Sequence, residues 1–171
     1  RNLNFLSWVL KKIFYLDEPL HVKGALLRSF IRKSGIRYFL NHEKYSDIAI
    51  IVDEGLFHYA HNFLCSPYQC ASDKEIGLFF DLCPKPDKLV ILNADEKFLL
   101  ERLKKRGDLS PRISGSKSLE GFVSNAHLLF TKLETLLIKN EVGISLSANY
   151  DSQSTMLKAC INYIVELKSK N

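Results

Sequence analysis

Methionine is almost missing from this sequence: Met156 is the only one, and position 1 is an arginine. A translated chain starts with methionine, so the sequence leads us to expect further polypeptide upstream of Arg1. No stretch approaches 18 consecutive apolar residues, so the pattern excludes a membrane-spanning helix. From Arg1 to Tyr15 charges are mixed into the apolar residues and no small-residue cleavage site follows, which reads as a helix rather than a signal peptide. Cysteine is scarce. Cys65, Cys70, Cys83 and Cys160 are too few for a disulfide scaffold in 171 residues, and reduced thiols in a cytoplasmic protein are the simpler expectation. Internal repeats, low-complexity tracts and linkers are also lacking, so one domain over 1–171 is expected.

What is present is ordinary globular material. Hydrophobic residues make up 46% and charged residues 25%, with eleven Phe and seven Tyr to fill a core. The net charge of +5 suits an anionic ligand without specifying one.

Leu3, Leu6, Val9, Leu10 and Ile13 recur at helical spacing until Asp17-Glu18-Pro19 interrupts them. A second helix is predicted from Leu20 to Lys33, with Gly35 as its stop. Ile48 to Val52 is an unbroken apolar run between Asp47 and Asp53, the signature of a strand buried on both faces in a parallel sheet. Helices follow at 56–64 and 72–82. The rigid turn Cys83-Pro84-Lys85-Pro86-Asp87 then leads into a second strand, Lys88 to Leu92. Asp95 is placed to cap a helix from Glu96 to Arg106, and Gly107 to Ser118 reads as a polar loop. Phe122, Ala126, Leu129, Leu133, Leu136 and Leu137 stripe a long helix; Val142–Leu146 is a third strand, and Leu157, Cys160, Ile161, Ile164 and Leu167 mark a final helix. Strands alternating with helices, with no hairpin signal between them, predict an α/β fold with a parallel sheet.

Ligands bind beyond the carboxyl ends of the strands in such sheets, where Asp53 and Glu54 fall. One carboxylate there can hold Mg²⁺ and the other can accept a proton from a substrate hydroxyl; the plainer alternative is a helix cap and a solvated acid. A second constellation follows the next strand. Arg102 and Arg106 lie four residues apart, hence on one helix face, and Arg112 follows on the loop. Guanidinium groups bind phosphate oxygens bidentately, although a solvated basic helix end would look similar. His58, His61, Cys65 and Cys70 could ligate zinc, but their spacing matches no familiar site, and Cys65 fits a core position better. Trp8, Phe79 and Phe80 read as packing; Phe5, Tyr38 and Phe39 are open to a base-stacking role.

The run Pro84-Lys85-Pro86-Asp87-Lys88-Leu89-Val90-Ile91-Leu92-Asn93-Ala94-Asp95, followed by Arg102 and Arg106, resembles the fourth strand and lid of the thymidylate kinase and deoxynucleoside kinase group. The Ile48–Glu54 segment is similar to that group's third strand. The resemblance covers roughly Asp47 to the C-terminus. It implies a three-layer α/β/α P-loop kinase fold, a lid at 102–118, and the cofactors ATP and Mg²⁺. It further implies Asp53 as metal ligand, Glu54 as base or its supporting partner, and Arg102, Arg106 and Arg112 as stabilisers of transferring charge. Asn149, Tyr150 and Asp151 fall where the group holds adenine. The chain departs from the group in two places. Asp53-Glu54-Gly55 replaces Glu-Arg-Ser or Asp-Arg-Tyr, so the group's substrate-binding arginine has no counterpart. No Gly-x-x-x-x-Gly-Lys-Ser/Thr occurs either, and the first strand and phosphate loop are expected upstream of Arg1.

The expected activity is phosphoryl transfer from ATP to a small acceptor such as a nucleoside or nucleotide, with a homodimer allowed and neither a membrane nor a nucleic acid expected as partner. The competing reading is a non-catalytic α/β module that binds nucleotide, nucleic acid or protein through the basic patch.

Overall fold

Two short strands carry the sheet, and helices supply nearly everything else. The structure is a computed structural model and describes residues 2–40, 50–52, 55–107, 113, 116–147 and 153–168. Helices α1 (Asn2–Tyr15), α2 (Leu20–Leu40), α3 (Ala60–Leu64) and α4 (Asp73–Leu82) come first. Strand β1 (Leu89–Asn93), helices α5 (Glu96–Arg106) and α6 (Ser116–Lys139), strand β2 (Gly143–Ser147) and helix α7 (Gln153–Lys168) complete the order. The fold is thus helix-rich α/β. Among the described residues no helix is long and apolar enough to cross a membrane.

Local sequence explains most of the boundaries. Ser72 caps α4: its hydroxyl accepts from the Glu75 backbone N–H, while the Glu75 carboxylate accepts from the Ser72 N–H. This reciprocal box satisfies two donors that a helix start otherwise leaves open. Asp95 caps α5 by accepting from Phe98 N at 2.8 Å, as predicted. Gly107 ends α5 in the left-handed region at φ 70°, and its N–H reaches the Leu103 carbonyl at 3.3 Å.

Gly35 does not end α2, which runs on to Leu40. A helical glycine costs only about 1 kcal/mol relative to alanine. Beyond it the Arg37 guanidinium donates to the Lys85 carbonyl and ties the last turns to the rest of the molecule. Helix α6 begins at Ser116, earlier than its stripe suggested, because Leu119 and Val123 bury against Ile113.

β1 and β2 pair in parallel, with Leu89 opposite Gly143 and Asn93 opposite Ser147. Leu89 and Ile91 pack against the main core, whereas Leu92 on the alternate face is 62% exposed. The second predicted strand therefore exists but is not buried on both faces. The apolar run at 48–52 fares differently. Its described residues, Ile50, Ile51 and Val52, are not in a strand and are exposed. A strand needs a partner ladder, and among the described residues the sheet holds only β1 and β2.

The main core lies on the helical side. Phe5, Val9 and Ile13 of α1 meet Phe30 of α2, Phe63 of α3, Ile76, Phe79 and Phe80 of α4, and Leu129, Leu133 and Leu137 of α6. Phe79 is fully buried and touches the rings of Phe5, Trp8 and Phe57 at 5.7–5.9 Å between centroids. A smaller apolar cluster joins α5 to α6: Leu99, Leu100 and Leu103 pack on Ile113, Leu119, Phe122 and Val123.

Candidate functional site

The parallel register brings two strand ends together. Asn93 and Ser147 close β1 and β2 side by side, at the carboxyl edge where open parallel sheets bind ligands. The Asn93 amide donates to the Glu134 carboxylate of α6 at 2.8 Å, which fixes the end of β1 against that helix. After Asn93 the chain turns through buried Ala94 to the Asp95 cap and enters α5 within three residues.

Helix α5 is basic at its far end. Arg102 lies over the Phe98 ring, 5.1 Å from its centroid, a position that pre-orients the guanidinium plane. Lys104 pairs with Glu120 of α6 at 3.2 Å, and both groups are half exposed. Lys105 and Arg106 face solvent. No residue of α5 is fully buried, and the helix meets α6 through the small Leu99–Leu103 contact and the Lys104–Glu120 pair. A helix attached in this way starts at the end of β1, carries its cations toward its far end, and lies outside the main core.

The sequence-predicted residues divide cleanly. Arg102 and Arg106 lie on α5, directly after the Asn93 strand end. Asp53, Glu54, Arg112, Asn149, Tyr150 and Asp151 lie outside the described residues. Of the residues open to base stacking, Phe5 is a core residue at 3% exposure and Tyr38 is exposed on α2. Glu134 was missed, because a lone acid inside an amphipathic helix gives no signal that it reaches a strand end 41 residues earlier.

Among the described residues no group of three His, Cys, Asp or Glu side chains could hold a metal ion. His58 and His61 instead meet edge-to-face at 4.9 Å between centroids and both lie against Phe130, and Cys65 sits in the core. No protein-family model, curated protein or solved structure matches the chain.

Proposed function

We propose that the protein, in its full-length form, is an ATP-dependent phosphotransferase acting on a small acceptor of the nucleoside or nucleotide type. One observation carries the reading: the end of β1, beside the end of β2, runs through the Asp95 cap straight into a helix presenting Arg102 and Arg106. Parallel strand ends position a ligand, and guanidinium groups on a lightly anchored helix can close over its phosphates and neutralise spreading charge. In this reading Arg112 joins them from the loop and residues 149–151 border the adenine. Asp53 would hold Mg²⁺, and Glu54 would be the base or its supporting partner. The β- and γ-phosphates require a glycine-rich loop that these 171 residues do not contain. The exposed apolar side chains of Leu92, Ile51 and Val52 fit the proposal, since a further central strand would cover such surface.

The test is ATP consumption by the full-length protein across a panel of nucleosides and nucleotides. Turnover is expected with at least one acceptor, and Arg106→Ala should lower kcat by ~100-fold with an unchanged melting midpoint. Absence of turnover with every acceptor, together with ATP binding indifferent to Asp53→Ala, overturns the proposal.

A second reading draws on the exposed run Lys104-Lys105-Arg106 at the end of α5. A non-catalytic module would use it to dock a polyanion. Binding would then weaken steeply with salt and ignore both Mg²⁺ and ATP.

A further inference from the structure

We propose that Cys65 and Cys70 form a reversible dithiol–disulfide pair, oxidised by low-molecular-weight disulfides of the glutathione class. The two residues face each other across an isolated antiparallel bridge. Backbone hydrogen bonds flank them on both sides, from Ser66 N to Gln69 O at 2.8 Å and from Ala71 N to Leu64 O at 2.7 Å. Cys65 and Cys70 themselves occupy the non-hydrogen-bonded position of this ladder, where Cα atoms stand about 4.5 Å apart and side chains approach most closely. That separation falls inside the window a disulfide requires, roughly 4.4–6.8 Å between Cα atoms. Opposed residues of an antiparallel pair also project to the same face, here the core face: Cys65 belongs to the main core and Cys70 packs against it.

All four cysteines are thiols in the structure. The pair supplies two sulfurs without the third and fourth ligands a metal would need, since no such grouping exists among the described residues. Exposure sets the order of events. Half-buried Cys70 meets the reagent; its thiolate attacks one sulfur of the small disulfide and expels one small thiolate, leaving a mixed disulfide. The Cys65 thiolate, buried but adjacent, then attacks the Cys70 sulfur and expels the second small thiolate. The two protons lost by the cysteines end on the two released thiols, so two cysteines are oxidised while one small disulfide is reduced. Burial pushes the Cys70 thiol up, against the pull of Lys132, and Asp73 also raises it, so exchange is slow and needs long equilibration.

The hairpin is a support for α6. The Asn125 amide donates to the Ser66 carbonyl at 2.9 Å, and the Pro67 carbonyl lies so close to Gly121 that a Cβ there would collide with it. Oxidation would therefore staple the turn on which the first half of α6 rests.

The experiment equilibrates the reduced protein with graded ratios of reduced to oxidised glutathione, blocks remaining thiols by alkylation and maps tryptic peptides. Residues 45–74 form one tryptic peptide holding only Cys65 and Cys70; Cys83 and Cys160 fall in others. The expected product is that peptide two hydrogens lighter and unalkylated, with Cys83 unchanged. Oxidation should also raise the melting midpoint by roughly 4–8 °C, as closing a short loop predicts. Cys70→Ser should abolish this rise while leaving the reduced midpoint within a few degrees. A persistent glutathione adduct on Cys70, a bond from either residue to Cys83 or Cys160, or no oxidation at any ratio overturns the proposal. Peptide mapping of the unsubstituted protein decides the matter even where Cys70→Ser does not fold.

Discussion

The half of the molecule built from α1 to α4 and the later turns of α6 holds a closely packed cluster in which Phe5, Phe30, Phe63 and Phe79 are buried, although Phe14, Tyr15 and Tyr38 on its surface are exposed. The half built from β1, α5, β2 and α7 leaves apolar side chains in water. Phe79, Val9, Leu129 and Leu133 are inaccessible, whereas Leu92, Leu157, Ile161 and Val165 are each about half exposed or more. No residue of α5 is fully buried, and neither strand contains one. Stability therefore resides in the helical half, and the residues proposed to handle phosphate stand on the more loosely packed one. Helices that must move over a ligand are drawn from such low-stability regions.

The sharpest way to break this contrast is to empty one site in each half. Phe79→Ala removes a ring packed against three others and should cost about 3–5 kcal/mol. Leu92→Ala, at a largely solvated position, should cost less than ~1 kcal/mol. Urea denaturation of both variants compares them; equal losses would remove the distinction between the halves.

Two glycines sharpen it further. Gly121→Ala forces a methyl group into the Pro67 carbonyl, and the resulting displacement should cost ~1–3 kcal/mol. Gly24→Ala meets nothing within 4 Å in the second turn of α2, so lower unfolded-state entropy and better helix propensity should stabilise by ~0.5–1 kcal/mol. Thermal melts read both signs.

The smallest effect concerns acid. A hydrogen bond from Lys12 holds the Glu75 carboxyl below its ordinary value of 4.5, joining α1 to α4. A depressed carboxyl contributes stability that is complete above its unfolded value and lost as pH falls through its folded one. Because the Glu75 side chain is 42% exposed, solvent screening limits the contribution to ~0.2–1 kcal/mol. Lys12→Met should lower stability at pH 7 by that same ~0.2–1 kcal/mol and flatten the acid limb of the stability curve below pH 4.5, where the contribution is already being lost.

Features written in neighbouring residues were legible in the sequence. The Asp95 cap and the end of α5 at Gly107 depend on local chemistry and stand where the pattern puts them, and the strands expected at 88–92 and 142–146 run one residue later, at 89–93 and 143–147. Features decided by distant partners were not legible. The continuation of α2 past Gly35 accompanies the Arg37 contact with Lys85, 48 residues away. The early start of α6 depends on Ile113, and the fate of the 48–52 run depends on a ladder its own residues cannot specify. The same division runs through the site. Arg102 and Arg106 were visible as a helical pair, but the Asn93–Glu134 contact at the end of the preceding strand carries no periodic signal.

The parallel ladder has one more consequence, for the order in which the chain acquires its shape. Leu89 and Gly143 are partners separated by roughly fifty residues, so the ladder forms only after a long loop closes, at an entropic cost that local contacts do not share. The turns of α3 and α4 and the hairpin between them need no such closure. Refolding monitored by hydrogen exchange should protect Phe79 and Phe80 before Ile91 and Leu92. The edge proposed to receive the ligand is the last part of the molecule to take form.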